Sequence, residues 1–370
     1  MKKILYISAF PPNKMTAGQN YSRELLNELS AKYNVDIIYF SYPSHHLKIS
    51  DKIKVIKEVR ISNFIKIINS LFLFFLHPFF TRRFNVNVLR IIKRNALHYD
   101  ILYFDFSQVF IYSLFVKHPF KCMYCHDVIF QKYRRRKMFH KLFLPLLFVT
   151  ERLLIQSGNY IFCPSMKDKD LLKALYNTDA YVIDQYININ QEIINKYNES
   201  NVEKKFILFG AWNRKENNEG LLWFIQNVYP YLKKDTEIEI IGQGMPEFII
   251  KRIDQLNNIK YIGFVEDPAE NIIGAQALIA PIFQGAGVKV KVLETLATGT
   301  PVIGTDIAFE GIELDGLNNA LYLCNSSEEF IQKINEFPYW NIDMKKSIRN
   351  KFISQYPKRK FIDYIHKIKQ

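Results

Sequence analysis

Residues 280–304 read APIFQGAGVKVKVLETLATGTPVIG, and this stretch decides the fold of the second half of the chain. An apolar run ends at Pro281, glycines follow at Gly285 and Gly287, and the next residues are apolar at helical spacing. A second apolar run begins at Pro301. A buried strand, a glycine-containing turn, a helix and another buried strand in this order predict one βαβ unit of a parallel sheet.

The turn before that helix has the composition of an anion-binding site. Its glycines allow a ligand to approach the backbone, and the free N–H groups of the first helical turn bind an anion such as a diphosphate. Lys289 and Lys291 lie in that turn and can neutralise phosphate oxygens, while Glu294 shares a helix face with Lys291 and can accept hydrogen bonds from ribose hydroxyls. We expect a nucleotide-diphosphate pocket here, although a plain turn, a helix and an i,i+3 ion pair also fit the pattern.

The same alternation runs through the whole chain of 370 residues. Thirteen short β-rich runs, seven before residue 187 and six after it, alternate with helical patterns, which predicts an α/β protein with two doubly wound, Rossmann-like domains. An Asn-rich polar segment separates the two halves and is typical of a linker. We expect an N-terminal domain over 1–186, a linker over 187–203, a C-terminal domain over 204–349, and a C-terminal helix over 350–370 that packs back on the N-terminal domain.

The net charge of +14 comes from the first half of the chain. Residues 1–186 carry 28 Lys and Arg against 13 Asp and Glu, whereas the remaining residues carry 22 and 23. This asymmetry indicates a basic surface that faces a polyanion, either nucleic acid or an anionic membrane. No recognition-helix, zinc-finger or RNP pattern accompanies it, so we expect no nucleic acid partner.

The segment Phe64–Phe84 favours the membrane. Its longest uninterrupted apolar run, Leu71–Leu76, is far shorter than the ~20 residues of a membrane span. Two alternatives stay open: an interfacial helix with basic residues just beyond it, or a helix that packs in the core and presents a basic outer face. Four scattered cysteines and an N-terminal apolar run too short for a secretory signal favour a cytoplasmic location.

Three further motifs offer competing functions. Cys122-Met-Tyr-Cys125-His126 matches a haem attachment pattern, but a strand would point its two cysteines to opposite faces. Asp168-Lys-Asp170 fits a metal motif, yet Ser165 three residues before Asp168 is typical of a helix cap. Gly242-Gln-Gly244 is half of a dinucleotide fingerprint without its third glycine, which favours a tight turn and leaves a nucleotide-sugar epimerase as an alternative.

The block over 280–304 resembles the donor-binding signature of GT-B glycosyltransferases of family 4, also called group 1. The resemblance extends over most of the chain through weaker matches. These are Gly18 after the first strand, His126-Asp127 after the strand Phe120–Cys125, the stretch from Glu151 to Asp168, the stretch Phe209–Asn218, and Tyr261-Ile-Gly-Phe-Val265. The family implies the GT-B fold, in which two Rossmann-like domains face each other across a cleft and a C-terminal helix returns to the N-terminal domain.

The resemblance also implies roles for individual residues. His126 and Lys291 take the catalytic positions, with His126 over the donor sugar and Lys291 on the phosphates. The implied substrate-binding residues are Gly18, Arg214, Lys215, Gly263, Phe264, Val265, Gly285, Ala286, Gly287, Val288, Lys289 and Glu294.

Three positions depart from the family pattern. Many members carry a Glu eight residues before the position of Glu294, where this chain has Ala286. The usual Gly-Arg of the second domain is Gly210-Ala211, and the usual lysine shortly after it falls at Glu216. Lys289 and Lys291, with Arg214 or Lys215, would then bind the phosphates. Because Ala286 replaces the glutamate, the residue that recognises the donor sugar and the stereochemistry of transfer stay open.

The resemblance implies transfer of a sugar from a nucleotide-diphosphate sugar to a hydroxyl of a glycan acceptor, with retention and with neither metal nor cofactor. Composition and resemblance together favour bacterial surface polysaccharide synthesis, such as O-antigen or capsule, on a lipid-linked acceptor. The expected partners are the nucleotide sugar, that acceptor and the inner face of the plasma membrane. The alternatives are an epimerase and a non-catalytic glycan- or membrane-binding descendant of a transferase.

Overall fold

Two parallel sheets organise the chain, each at the centre of its own compact unit. A computed structural model describes residues 2–13, 16–41, 50–135, 142–187, 202–357 and 359–365. One unit comprises Met1–Tyr186 with Lys358–Gln370, and the other comprises Ile187–Pro357. Most of the predicted linker over 187–203 lies outside the described residues.

The first unit contains a seven-stranded sheet in the order β3-β2-β1-β4-β5-β6-β7, with every pair parallel. Its strands are β1 (Lys3–Ser8), β2 (Asn34–Ser41), β3 (Ile53–Arg60), β4 (Ile101–Asp105), β5 (Lys121–Tyr124), β6 (Tyr160–Cys163) and β7 (Tyr181–Val182). Its helices include α1 (Ala17–Lys32), α2 (Asn63–Phe72), α3 (Pro78–Thr81), α4 (Val86–Asn95), α5 (Ile129–Arg134), α6 (Leu144–Gln156) and α7 (Met166–Tyr176), with 3-10 turns at Ala96–His98 and Ser107–Phe115.

The second unit contains a six-stranded sheet in the order β10-β9-β8-β11-β12-β13, again all parallel. Its strands are β8 (Lys205–Phe209), β9 (Glu237–Ile241), β10 (Ile259–Gly263), β11 (Ala277–Ala280), β12 (Val302–Gly304) and β13 (Leu321–Leu323). Its helices include α8 (Lys215–Asn227), α9 (Glu247–Ile253), α10 (Ala269–Gly274), α11 (Val290–Ala297), α12 (Asp306–Phe309), α13 (Ser327–Asn335) and α14 (Ile342–Gln355), with 3-10 turns at Tyr229–Tyr231 and Asn318–Ala320. A strand lies at each of the thirteen predicted positions, which confirms the doubly wound α/β class.

Side-chain alternation along the central strands builds a core on both faces of each sheet. In β4, Leu102 and Phe104 point into one buried cluster, whereas Ile101 and Tyr103 point into the other. A strand that is buried on both faces reads as a continuous apolar run, as parallel strands between two helix layers do. The second sheet repeats the arrangement with Leu208 of β8 on one face and Ile207 on the other.

The C-terminal segment returns to the first unit, but the predicted helix over 350–370 is wrong in its extent. Helix α14 ends at Gln355 in the second unit, and Tyr356 is extended before Pro357. Proline disfavours helical backbone in the residue before it, so the helix stops there. A separate short helix, α15 (Phe361–Ile365), places Phe361 against Tyr103 and Phe162 at ring distances of 4.8 and 5.0 Å.

The segment Phe64–Phe84 divides between the two alternatives, because Leu76 and Phe80 are buried in the core of the first unit whereas helix α2 is not. None of its ten residues is buried, although most of them are apolar. The helix is therefore not packed in the core. Within the residues that the structure describes, no helix combines the length and hydropathy needed to cross a bilayer.

Candidate active site

The central feature of the second unit is the edge where β8 and β11 end side by side. The strand order reverses between these two strands, and ligands of doubly wound sheets bind outside the carboxyl ends at such a point. The loop after β11 passes through Gly285 and Gly287, whose φ angles of 119° and 70° are strained for any residue with a Cβ. This loop leads into α11, so the first turn of α11 opens at the reversal point.

Lys291 reaches from α11 to the end of β8. Its Nζ donates to the Phe209 carbonyl oxygen at 3.1 Å and to Asn217 Oδ1 at 3.3 Å. Burial, with the positive charge of Lys289 as the next cause, lowers the pKa of the Lys291 amine to about 8. A cation that its surroundings disfavour is a group that an incoming anion would stabilise.

Asn217 is a site residue that the sequence analysis missed. It lies in the first turn of α8, accepts from Lys291, and donates through Nδ2 to the Ala211 carbonyl oxygen at 2.9 Å. It thereby links the loop after β8 to α11. The signal was present, because Asn217 directly follows Glu216, the position at which the family pattern places a lysine.

Arg214 and Lys215 are the two residues expected to help bind the phosphates, and the structure brings Arg214 toward Lys291. The charge of Arg214, the residue before α8, is among the causes that lower the Lys291 pKa. Lys215 instead forms an exposed i,i+4 ion pair with Glu219 at 3.6 Å. Lys289 donates to the Gly287 carbonyl oxygen at 2.6 Å, which folds its side chain over the glycine turn.

Glu294 lies one turn further along α11. Burial raises the pKa of its carboxyl group to about 7, and the negative charge of Asp267 contributes. Among the residues described, none donates a hydrogen bond to this carboxylate or forms an ion pair with it, so the i,i+3 pair with Lys291 is not formed. Asp267 belongs to the loop after β10, which follows Gly263, the last residue of the strand, with a φ of 85°, and begins with Phe264, which is 67% exposed. Glu294 and this loop therefore lie at one end of the sheet.

The remaining predicted residues of the second unit line the same loops. Ala286 lies between the two left-handed glycines of the α11 entrance, and Val288 packs its side chain into the core beneath that entrance. Val265 contributes to the same core. These residues shape the loops but carry no charge.

The first unit presents its own reversal point between β1 and β4. His126 follows β5, and its Nε2 lies 2.8 Å from Oδ1 of Asp105, the last residue of β4. The imidazole stacks on Phe106 with a ring distance of 3.9 Å. A Cβ added to Gly18 would lie 2.9 Å from the Phe106 ring and 3.4 Å from His126 Nδ1, so glycine is what fits there.

Asp105 is the second site residue that the sequence analysis missed. It was visible as a carboxylate at the end of the otherwise apolar strand ILYFD.

The competing motifs have structural roles. Cys122 and Cys125 are buried in opposite core clusters, as predicted for a strand. Ser165 caps α7 by accepting from the Asp168 N–H, which confirms the helix cap. A Cβ on Gly242 would lie 1.8 Å from the Gly210 carbonyl oxygen, so Gly242-Gln-Gly244 is a tightly packed turn.

Comparison with known proteins agrees with this geometry. Residues 203–337 match the family model described as Glycosyl transferases group 1. The chain is also 27% identical over 148 residues to an uncharacterized 44.6 kDa protein in the cps region of Klebsiella pneumoniae, an alignment that covers 37% of each protein.

Solved structures resemble the chain over nearly its full length. Anabaena HepE in complex with UDP has a TM-score of 0.66 and 12% identity, with 100% of this chain and 98% of that chain covered. The lipopolysaccharide outer core galactosyltransferase WaaB in its apo form has a TM-score of 0.63 and 16% identity, with 99% of both chains covered.

The two doubly wound parallel sheets of this chain are thus the GT-B fold that these solved structures share. Residues 203–337 are the part of the chain that resembles the glycosyl transferases group 1 in sequence.

Proposed function

We propose that the protein transfers a sugar from a nucleotide-diphosphate sugar to a hydroxyl group of a glycan acceptor. The observation that carries the proposal is the position of Lys291, whose amine lies at the carboxyl end of β8 beside the glycine turn that opens α11. A glycine turn, a helix N-terminus and a destabilised cation together suit a diphosphate better than a neutral ligand. HepE, of the same fold, was solved with UDP, which supports a nucleotide donor.

The proposed chemistry depends on stabilising the departing diphosphate. Negative charge builds on that group as the sugar leaves, and preorganised N–H groups and lysines placed where the charge develops lower the barrier most. The first turn of α11, Lys289, Lys291 and Arg214 supply such charge and dipoles without a metal ion. Glu294 binds the ribose and the loop at Gly263–Val265 contacts the base. The anomeric configuration of the sugar is retained.

A panel of nucleotide sugars tests this proposal. We expect one donor to raise the midpoint of thermal unfolding and to be hydrolysed slowly without acceptor. Lys291→Gln should abolish both effects, while Glu247→Gln, on the exposed side of α9, should leave both intact. Stabilisation without hydrolysis or transfer would instead favour a non-catalytic descendant, and no response to any nucleotide sugar would refute the donor site.

The acceptor is proposed to be a lipid-linked glycan at the inner face of the plasma membrane. The evidence is an apolar surface on the first unit, here called the α2 surface, whose large side chains are 58–78% exposed. It consists of Phe64, Ile67, Leu71, Phe72, Phe74 and Phe75. The His77 N–H donates to Thr150 Oγ1 at 2.9 Å and brings the end of this segment to α6, where Val149 and Leu153 are also exposed.

Charge favours an anionic bilayer as the partner of the α2 surface. Residues 59–99 contain seven Lys and Arg and no Asp or Glu. Arg82, Arg90, Lys93 and Arg94 are exposed. An apolar helix face with basic neighbours inserts at the headgroup boundary of anionic membranes. The cps-region relative and the lipopolysaccharide transferase WaaB support synthesis of a bacterial surface polysaccharide, such as O-antigen or capsule.

Flotation with vesicles separates the apolar and electrostatic contributions. We expect the full chain to float with vesicles containing phosphatidylglycerol and less so with pure phosphatidylcholine, with binding weakened by salt. Leu71→Ser with Phe72→Ser should reduce flotation, whereas Phe248→Ser, at an aromatic on α9 that is 63% exposed, should not. Equal losses in both variants, or no flotation at low salt, would refute the membrane surface.

A further inference from the structure

Asp105 is buried at the carboxyl end of β4 with hydrogen-bond partners on both oxygens. The hydroxyl oxygens of Ser8 and Ser22 lie 3.2 and 2.5 Å from its Oδ2, and His126 Nε2 lies 2.8 Å from its Oδ1. An ionised carboxylate only accepts hydrogen bonds, so these three neighbours satisfy it as donors. The side chain of Asp105 is therefore held by β1 and α1 and directed at His126.

The residue after Asp105 has an unusual backbone conformation. Phe106 has a φ of 70°, in the left-handed region that bulky residues rarely adopt. This corner turns the Phe106 ring onto the imidazole of His126, while Tyr124 contacts the imidazole edge-on at 4.7 Å. A strained residue persists only where its surroundings enforce it, and such strain is concentrated at functional sites. The strain here serves to fix one imidazole ring.

We propose that Asp105 is a positioning residue, which keeps the His126 proton on Nε2 and leaves Nδ1 as an acceptor for a sugar hydroxyl. Because the carboxylate has no proton to give, Nε2 must be the donor in their hydrogen bond. A neutral imidazole carries one proton, so Nδ1 then presents a lone pair. Nδ1 faces the first turn of α1, where Gly18 has no side chain that would cover it. The assignment of this hydroxyl to a sugar rests on the proposed function, whereas the position of the proton on the His126 ring does not.

The tautomer is measured directly by NMR of the full chain with ¹⁵N-labelled histidine. His126→Gln identifies the two ring signals of His126 by their loss. We expect a protonated Nε2 and an unprotonated Nδ1, and a shift of the proton toward Nδ1 in Asp105→Asn, because an amide N–H₂ can donate to Nε2. A proton on Nδ1 in the wild type, or unchanged ring signals in Asp105→Asn, would overturn the proposal.

A control excludes a general effect of losing a strand carboxylate from this sheet. Asp36 lies in β2 of the same sheet and accepts from the Tyr99 hydroxyl at 2.7 Å, away from His126. Asp36→Asn should leave the His126 ring signals unchanged. Should Asp105→Asn fail to fold, Ser22→Ala removes one hydroxyl from Asp105 Oδ2 and should move the same signals to a smaller extent.

Kinetics then connects the tautomer to transfer. Asp105→Asn should lower kcat by about 10²-fold, the lower range for a positioned acid–base group, with an unchanged KM for the nucleotide sugar. Asp36→Asn should keep both constants. Equal losses of kcat in the two variants would reduce Asp105 to a structural residue. An inactive wild type with the expected tautomer would refute the proposed function and leave the positioning role standing.

Discussion

Replacing Glu294 by glutamine should stabilise the second unit while it weakens nucleotide binding. Burial gives the folded carboxyl group a pKa of about 7, against 4.5 for an ordinary glutamate. At about 1.4 kcal/mol per tenfold difference in proton affinity, ionising Glu294 costs the folded state about 3 kcal/mol above pH 7. The folded chain holds the proton more tightly than the unfolded chain does. The destabilisation therefore develops as pH rises from 4.5 to 7, and glutamine, which never ionises, avoids it.

The assay is urea unfolding followed by tryptophan fluorescence. The three tryptophans of the chain, Trp212, Trp223 and Trp340, all lie in the second unit, so fluorescence reports that unit. We expect Glu294→Gln to be more stable than the wild type by about 3 kcal/mol at about pH 8.5 and by about 1 kcal/mol at about pH 5. The control Glu247→Gln, whose ion pair is exposed, should change stability by less than about 1 kcal/mol at both pH values.

The same variant should bind the nucleoside diphosphate at least about tenfold more weakly, because a hydrogen bond to a charged group contributes about 1.5–3 kcal/mol. An unfolding curve of Glu294→Gln that overlays the wild type at pH 8.5 would refute a desolvated carboxylate without a hydrogen-bond donor among the described residues. Unchanged affinity for both UDP and GDP would refute its role in the pocket.

Three further predictions follow from the site and the core. The affinity of the wild type for the diphosphate should fall as pH rises through about 8, because Lys291 loses its proton there. Titration calorimetry should show that Lys291→Gln binds more weakly and that its affinity does not decline at alkaline pH. Gly287→Ala should weaken binding because alanine at a φ of 70° costs about 1–2 kcal/mol. Gly274→Ala should match the wild type in the same titration, because its Cβ would meet Glu203 Oε1 at an ordinary contact distance of 4.0 Å. Phe361→Ala should destabilise the first unit by about 3–5 kcal/mol, measured as lost hydrogen-exchange protection in β4, and unchanged protection there would contradict the role of α15.

The local sequence pattern was sufficient to predict the strands but not the contacts between segments that are distant in the sequence. Apolar runs such as ALIA before the glycine turn identify buried strands because burial on both faces leaves no polar positions. The glycine turn before α11 was predicted for the same reason, since its backbone geometry depends on neighbours in sequence. Asp105 and Asn217 were missed because their roles arise from partners 21 and 74 residues away, His126 and Lys291.

The end of the chain shows another limit. Pro357 marks the break between α14 and α15, yet helical spacing on both sides suggested one continuous helix. Which unit each piece joins depends on tertiary partners such as the Asp184–Arg359 ion pair at 2.8 Å, which no local pattern encodes. The exposure of α2 likewise could not be separated from core packing by periodicity alone.

The contribution of Phe361 to the first core has a consequence for biosynthesis. During translation the second unit has all of its residues as soon as Pro357 leaves the ribosome, whereas the first unit still lacks α15. Domains fold as units while the chain emerges at about 5–20 residues per second. The half that is synthesised first is therefore completed last, and until then the surface of Tyr103 and Phe162 that α15 covers stays open to chaperones.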